Sequence, residues 1–469
     1  MWLKIEFGVM VLAMLFLAFG VHQRGMTGEM SSSVASYDKR LVLSTLAVAA
    51  AWVLCAGYFG VLFGWTPDWN DLRADLTSTF TYFSWPVDFG ELTGNSPQYL
   101  ISLPGFYLVP TFFAKLFRSN HEVTLMFVAI WVLLGLFLVL VFVTRRFSKT
   151  SERIVASTLF IGFSGFDSVG AVLVQDQPWS YLISGGHLEP WSGTVQFSSN
   201  TTLLFWTPHH ALSSWLGLIV LIHTRGSKWF LGTAGLTLLF AYLWSPFSAL
   251  GIAIMAVIFY LHDRNFSISD IVRAIPLGLV IVTASLPIRD YYSLLTEIPR
   301  DLWWYFSERS YLNFGIEDSS LARIAAKYLL FLVLELGVWL GLGLWLRVGR
   351  RLELLSVGVV LVAISQVVSF GPSDFAMRVS IAPLFYLSIL LSEKLTQLIN
   401  GQHRLPARTV IFLIATLMIW TPATEIVENF RRGARSLEAP CVLGGCDSSL
   451  TPLQEGYSFG AHRPFMFRD

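Results

Sequence analysis

Apolar stretches of roughly 20 residues recur from one end of the chain to the other, broken by short polar segments. A helix of that length crosses a hydrocarbon layer of about 30 Å, so each stretch predicts a membrane span. The runs are apolar throughout and do not alternate, which argues against the strands of a membrane β-barrel. Spans are predicted over residues 2–20, 40–64, 123–144, 154–174, 203–223, 272–288, 325–346, 352–370, 379–391 and 409–420. Residues 229–260 are too long for one crossing and carry Ser245-Pro246 near the middle, so they read as a helical hairpin. The expected fold is all-α, a polytopic transmembrane helical bundle of about twelve spans.

Charge placement orients the bundle. Short loops rich in Lys and Arg stay cytoplasmic, which puts Arg24, Lys39 and Arg40 inside, and later Arg225, Lys228, Arg347, Arg350 and Arg351. Residues 100–117 are apolar but short and contain Pro104, Gly105 and Pro110. Were they to span, Arg145, Arg146, Lys149 and Arg153 would fall outside, so they read instead as a juxtamembrane helix in the interface. The outer loops then run over 65–122, 175–202 and 289–324, with both termini outside. Arg431, Arg432 and Arg435 run against this placement of the C-terminus. Residues 1–20 have no small-residue cleavage site and read as a retained helix. One membrane domain, 1–424, is followed by a loop-rich tail, 425–469. In that tail Cys441 and Cys446 form either a small disulfide or two free thiols.

Composition agrees with this picture. Hydrophobic residues make up 54% and charged residues 13%, and mean hydropathy is +0.60. With 32 basic and 31 acidic residues the net charge is +1, which gives no reason to expect a nucleic-acid partner. What carries information is where the charges sit. Ionisable groups in or at the edge of spans are costly unless paired or hydrated, and mark sites by default. The outer face collects Asp68, Asp71, Asp75, Asp167, Asp176, His187, Glu189, His209, His210, Arg289, Arg300, Asp374 and Arg378. The early loop alone holds Asp68, Asp71, Asp75, Asp88 and Glu91 against Arg73.

Several of these have a spacing with chemical meaning. His209 and His210 follow Pro208 on the first turn of a predicted helix, where free amides favour an anion; a plain membrane-interface cluster would look the same. Adjacent histidines face different ways on a helix, which argues against one zinc site built from both. Asp374 and Arg378 are four apart, and the Arg fork suits phosphate, although a salt bridge at a helix start has the same spacing. Asn200-Thr201-Thr202 matches a glycosylation sequon. Phosphate loops, serine elbows and His/Cys metal motifs are absent.

A span leading into an early acidic loop with juxtamembrane helices, then a span ending in basic residues, resembles the GT-C superfamily of polytopic glycosyltransferases. Asp68-Trp69, Leu72, Leu76 and Trp85-Pro86-Val87 are similar to stretches of bacterial membrane proteins described as glycosyltransferases. So are Ser199-Asn200-Thr201-Thr202, Phe205-Trp206, Pro208, His210, Asp374-Phe375, Met377-Arg378 and Ser380. The resemblance covers roughly residues 40–395. It implies transfer of a sugar from a polyprenyl-phosphate donor to a glycan, lipid or protein acceptor, at the extracytoplasmic surface of the plasma (inner) membrane. Asp68, or Asp71 as runner-up, would be the base on the acceptor hydroxyl. His209, His210, Arg378 and Arg289 would hold the donor phosphate, with Asp167 and Asp374 in support. No cofactor is implied, and the acid-x-acid metal motif of many relatives is missing here. The rival class is a transporter or lipid-linked-sugar flippase, hinted at by the Ser245-Pro246 break and by Glu335 within a span. If the transferase expectation holds, Asp68→Asn abolishes sugar transfer in a membrane assay while expression and insertion stay at wild-type level.

Overall fold

The computed structural model describes residues 39–58, 99–101, 104–117, 121–145, 147, 149–174, 187–193, 195–263, 268–293, 303–304, 321–348, 350–368, 374–400, 413–428 and 458–460. These residues are overwhelmingly helical. Their only strands are two short antiparallel pairs, β1 (Tyr99–Ile101) with β4 (Ser458–Gly460) and β2 (Trp303–Trp304) with β3 (Val367–Val368). Three of the helical stretches described are long and apolar enough to cross a membrane: Met126–Thr144, Pro246–Asp263 and Ala322–Trp345.

Helix α1 (Lys39–Tyr58) packs against α3 (His121–Thr144), and α2 (Pro104–Leu116) lies along the first half of α3. At about 1.5 Å per residue α2 is near 20 Å long, too short to cross. Its Phe113 and Phe117 stack on Phe127 of α3, and its Phe106 meets Trp244 edge-on at 5.5 Å. Met126, Ile130, Leu134 and Leu138 recur every fourth residue on α3 and stay about half exposed. A bare apolar stripe of this length on a described helix fits a lipid-facing surface.

Residues 154–174, expected as one span, are two helices: α4 (Thr150–Ile161) and α5 (Asp167–Val174). The break over 162–166 holds Gly162 and Gly165, and a Cβ on Gly165 would sit 1.5 Å from Glu335 Oε2. Helix continuation is given up there so that the chain can pass over a carboxylate. Next come a 3-10 turn (Glu189–Ser192), α6 (Asn200–Trp206) and α7 (Pro208–Thr224). Asn200 is buried and donates its amide to Phe160 O at 2.8 Å, so the sequon is not presented for glycosylation in the fold.

The hairpin expected over 229–260 is present as α8 (Phe230–Trp244) and α9 (Pro246–Asp263). Ser245 between them is extended, at φ −166° and ψ 115°, and accepts from Ser248 N–H at 3.1 Å. Pro246 takes the first helical position, where a missing N–H costs nothing. A Cβ on Gly217 of α7 would meet both Ile252 of α9 and Thr237 of α8. Those residues share a height only if the chain doubles back.

Helix α10 (Ile268–Ser293) packs on α8, with Leu277 and Ile281 filling the space over Gly232 and Gly235. Helices α11 (Leu321–Leu332) and α12 (Val338–Trp345) are joined by a π-turn, Val333–Gly337. After α13 (Arg351–Ser365) come α14 (Asp374–Val379), α15 (Ile381–Asn400) and α16, over residues 413–428. Helix α16 runs past the domain boundary expected at residue 424. At the centre Phe160 packs edge-on against Trp215, Phe385 and Trp52, tying α4, α7, α15 and α1 together.

Cations gather at one end of the bundle. Arg145 Nη1 lies 2.7 Å from His223 Nε2, and Arg225 reaches Asp263 Oδ1 at 2.6 Å and Glu353 Oε2 at 2.9 Å. These residues come from segments expected as inner loops or the span ends beside them. A packing test follows from Gly251, whose Cβ would lie 2.5 Å from the Val379 carbonyl oxygen, a backbone atom that cannot swing away. Gly251→Ala is expected to cost about 1–3 kcal/mol, read as a lowered melting temperature in detergent. Gly278→Ala, which meets nothing within 4 Å, is expected to leave it unchanged or slightly raised.

Candidate functional site

Two polar centres stand out, the second of them at the start of α7, whose far end leads into Arg225. The first is acidic. Asp167, Glu189, Glu335 and Glu425 are each at most 2% exposed. They come from α5, the 3-10 turn, the π-turn and α16. A π-turn adds a residue to a helical turn and is enriched at functional sites; here it carries Glu335. Trp191 Nε1 donates to Glu335 Oε1 at 3.1 Å, and Asp167 faces the same carboxyl group. Ser164 donates to Asp167 Oδ2 at 2.8 Å. Gly170 lets the Trp191 indole lie flat on α5, since a Cβ there would come within 2.3 Å of the ring.

Glu189 is held more firmly. Gln196 Nε2 donates to its Oε2 at 2.6 Å and Ser199 N–H to its Oε1 at 2.8 Å. Ser199 in turn caps α6 by accepting from Thr202 N–H at 3.0 Å. Glu425 takes a hydrogen bond from His187 Nδ1 and a second from Trp206 Nε1 at 3.2 Å. His187, 31% exposed at its side chain, is the one member of the centre that reaches the surface.

The second centre is cationic and aromatic. The His209 and His210 rings lie 4.0 Å apart, so the adjacent imidazoles do not diverge as expected but pack on each other. His210 is buried, with Nδ1 2.6 Å from Ser245 Oγ, and Ser248 Oγ donates to the His210 carbonyl at 3.0 Å. The hairpin corner thus fixes this histidine. Phe247, one residue into α9, lies 6.2 Å from the His210 ring and carries the Arg378 guanidinium 5.3 Å over its face. Arg289 on α10 is exposed and within electrostatic reach of Tyr242, near the end of α8.

Of the residues nominated from sequence, His210 and Arg378 therefore meet at Phe247, His209 packs on His210, and Arg289 lies within electrostatic reach of Tyr242 near the end of α8. Asp167 belongs to the acidic centre. Asp68 and Asp71 lie outside the described residues, as does the side chain of Asp374, whose backbone begins α14. Sequence reasoning noted His187, Glu189 and Glu335 without joining them, and assigned Glu425 to the tail. The signal for Glu425 was faint: Ile426 and Val427 follow it, but Thr421-Pro422-Ala423-Thr424 separate it from the apolar run that ends at Trp420. Among the described residues no group of three or more His, Cys, Asp or Glu side chains has the geometry to hold a metal ion. A cavity of about 680 Å³ at the basic end is lined by Arg225, Asp263, Arg350 and Lys394, among others. Comparison with protein-family models, curated proteins and solved structures gives no match.

His187 and Glu189, in the segment expected as the second outer loop, have their protonation shifted by burial and neighbouring charge. Burial disfavours the charged form of His187, but Glu425, through charge and hydrogen bond, then Glu189 and Asp167, outweigh it and raise the imidazole to about 9. Burial first, then the charge of Asp167, raise Glu189 to about 7. Both folded values lie above the usual 6.5 and 4.5. Each group therefore favours the fold fully below its usual value and loses that contribution as pH climbs through its folded value. The protein is expected to melt at progressively lower temperature from pH 6 to pH 10. His187→Gln should be less stable than wild type at pH 6, by at most about 3 kcal/mol, and should lose the part of the decline near pH 9.

Proposed function

We propose that the chain is an integral membrane glycosyltransferase of GT-C type in the plasma (inner) membrane, with about twelve spans and its working face extracytoplasmic. It would transfer a sugar from a polyprenyl-phosphate donor to a glycan, lipid or protein acceptor. One observation carries this reading. His209, His210 and Arg378, nominated as phosphate ligands from sequence alone, gather at the hairpin corner: the His209 ring packs on His210, and the His210 ring and the Arg378 guanidinium both border Phe247.

The chemistry needs a base and fixed cations. Asp68, or Asp71, takes the proton of the acceptor hydroxyl. The acceptor oxygen then attacks the anomeric carbon, and the bond to the lipid phosphate breaks with its electron pair on phosphate. A positioned base contributes typically 10²–10⁴-fold. Cations aimed at the departing phosphate supply the electrostatic part, usually the larger one. Arg378 offers a planar fork, and Phe247 beneath it restricts how that fork turns. Ser245 fixes the ring of His210 through Nδ1. The donor's lipid tail would run between helices, beside apolar stripes such as that of α3.

A second reading, a transporter or lipid-linked-sugar flippase, is favoured by Glu335. It sits in a π-turn within Ala322–Trp345, a stretch long enough to span, and Asp167 faces it. Lipid-linked sugars and surface glycans of a deletion strain separate the two. The transferase reading expects a missing glycan residue with its lipid-linked donor accumulating on the outer leaflet. Arg378→Gln should restore transfer only about 10²–10³-fold below wild type. Donor accumulating on the inner leaflet supports the flippase, and unchanged glycans contradict both.

A further inference from the structure

We propose that Asp167 and Glu335 form a binding site for one exchangeable proton, connected to solvent through His187. These are the two residues that favour the second reading above, but a bound proton is compatible with either reading and requires neither. Its geometry is built rather than incidental. The π-turn turns Glu335 inward, and Gly165 leaves the space its carboxylate fills, since a Cβ there would lie 1.5 Å from Oε2. Trp191 occupies Oε1, while no donor group reaches the buried Oε2 among the described residues. What faces Glu335 is the second carboxyl group, Asp167, whose Oδ2 already accepts from Ser164. Both side chains are at most 2% exposed.

Two carboxylates facing each other away from water cannot both stay ionised. A proton shared between them replaces repulsion by a charge-assisted hydrogen bond, for which one group must be the acid. A metal ion does not fit, because no described cluster has the ligand geometry for one. The surrounding groups set the local charge. Glu189 on the 3-10 turn and Glu425 on α16 are acidic, His187 is the cation of the centre, and Lys327 on α11 approaches Gly193 beside the 3-10 turn. His187, partly exposed and bonded to Glu425, is the member of the centre that meets the surface, and on that geometry we assign it the exit.

Infrared spectroscopy of the full-length protein in lipid nanodiscs at pH 7 tests this. Wild type should show the carbonyl stretch of a protonated, buried carboxylic acid, shifting slowly on transfer to D₂O. Glu189→Gln removes only the contribution of Glu189. Glu335→Gln and Asp167→Asn, neutral shapes that keep the packing, should each lose the remaining band, and His187→Gln should keep it with a slower D₂O shift. Folding of each variant is checked by size exclusion, and either carboxyl variant alone suffices. The proposal is overturned by a wild-type protein without the band. It is equally overturned by a band that survives in folded Glu335→Gln or Asp167→Asn, or by a D₂O shift in His187→Gln as fast as in wild type.

Discussion

Burying four carboxyl groups in an apolar helical bundle is the constraint on which much of this architecture turns. Charged side chains taken out of water cost several kcal/mol each unless protonated, paired or hydrogen-bonded. The fold meets that cost locally. Gln196, the Ser199 amide, Trp191, Trp206, Ser164 and His187 each supply a donor to one of the acids. The backbone bends to the same end: helix continuity is broken over 162–166, a π-turn interrupts α11 and α12, and Thr207 breaks α6 from α7. Such concessions are expected where polar groups are kept for use rather than for stability.

The two ends of the bundle solve different problems. At the basic end Arg225 is neutralised by Asp263 and Glu353 and rests on Phe259, so its charge is spent on tying α9 and α13 to the α7–α8 connection. At the start of α7 the Arg378 guanidinium lies over the Phe247 ring and the His209 ring lies 6.1 Å from Phe106. Trp206, at the end of α6, belongs to the acidic centre, with its indole on Glu425 and His187 packed 5.7 Å away, and α7 with its two histidines begins two residues later.

Much of the frame was legible in the sequence because it depends on composition and local chemistry. Ser245-Pro246 announced the hairpin, since proline cannot continue a helix and serine can cap the next. The proline-bearing 100–117 stretch announced a helix too short to cross. The acidic centre was not legible as a unit. Its acids are scattered from Asp167 to Glu425, and the π-turn that presents Glu335 leaves the apolar pattern of the span intact. Glu425 looked like tail charge because Arg431 and Arg432 follow it. The break over 162–166 was hidden for a related reason: Gly and Phe keep the stretch apolar while the helix stops.

The most direct measurement is an experimental structure of the full-length protein in a lipid bilayer with a polyprenyl-phosphate sugar bound. The account places the phosphate within hydrogen-bonding distance of Arg378 and His209 beside Phe247, with the lipid chain along the apolar helix faces. A phosphate seated in the cavity at the basic end, between Arg225, Arg350 and Lys394, would contradict it.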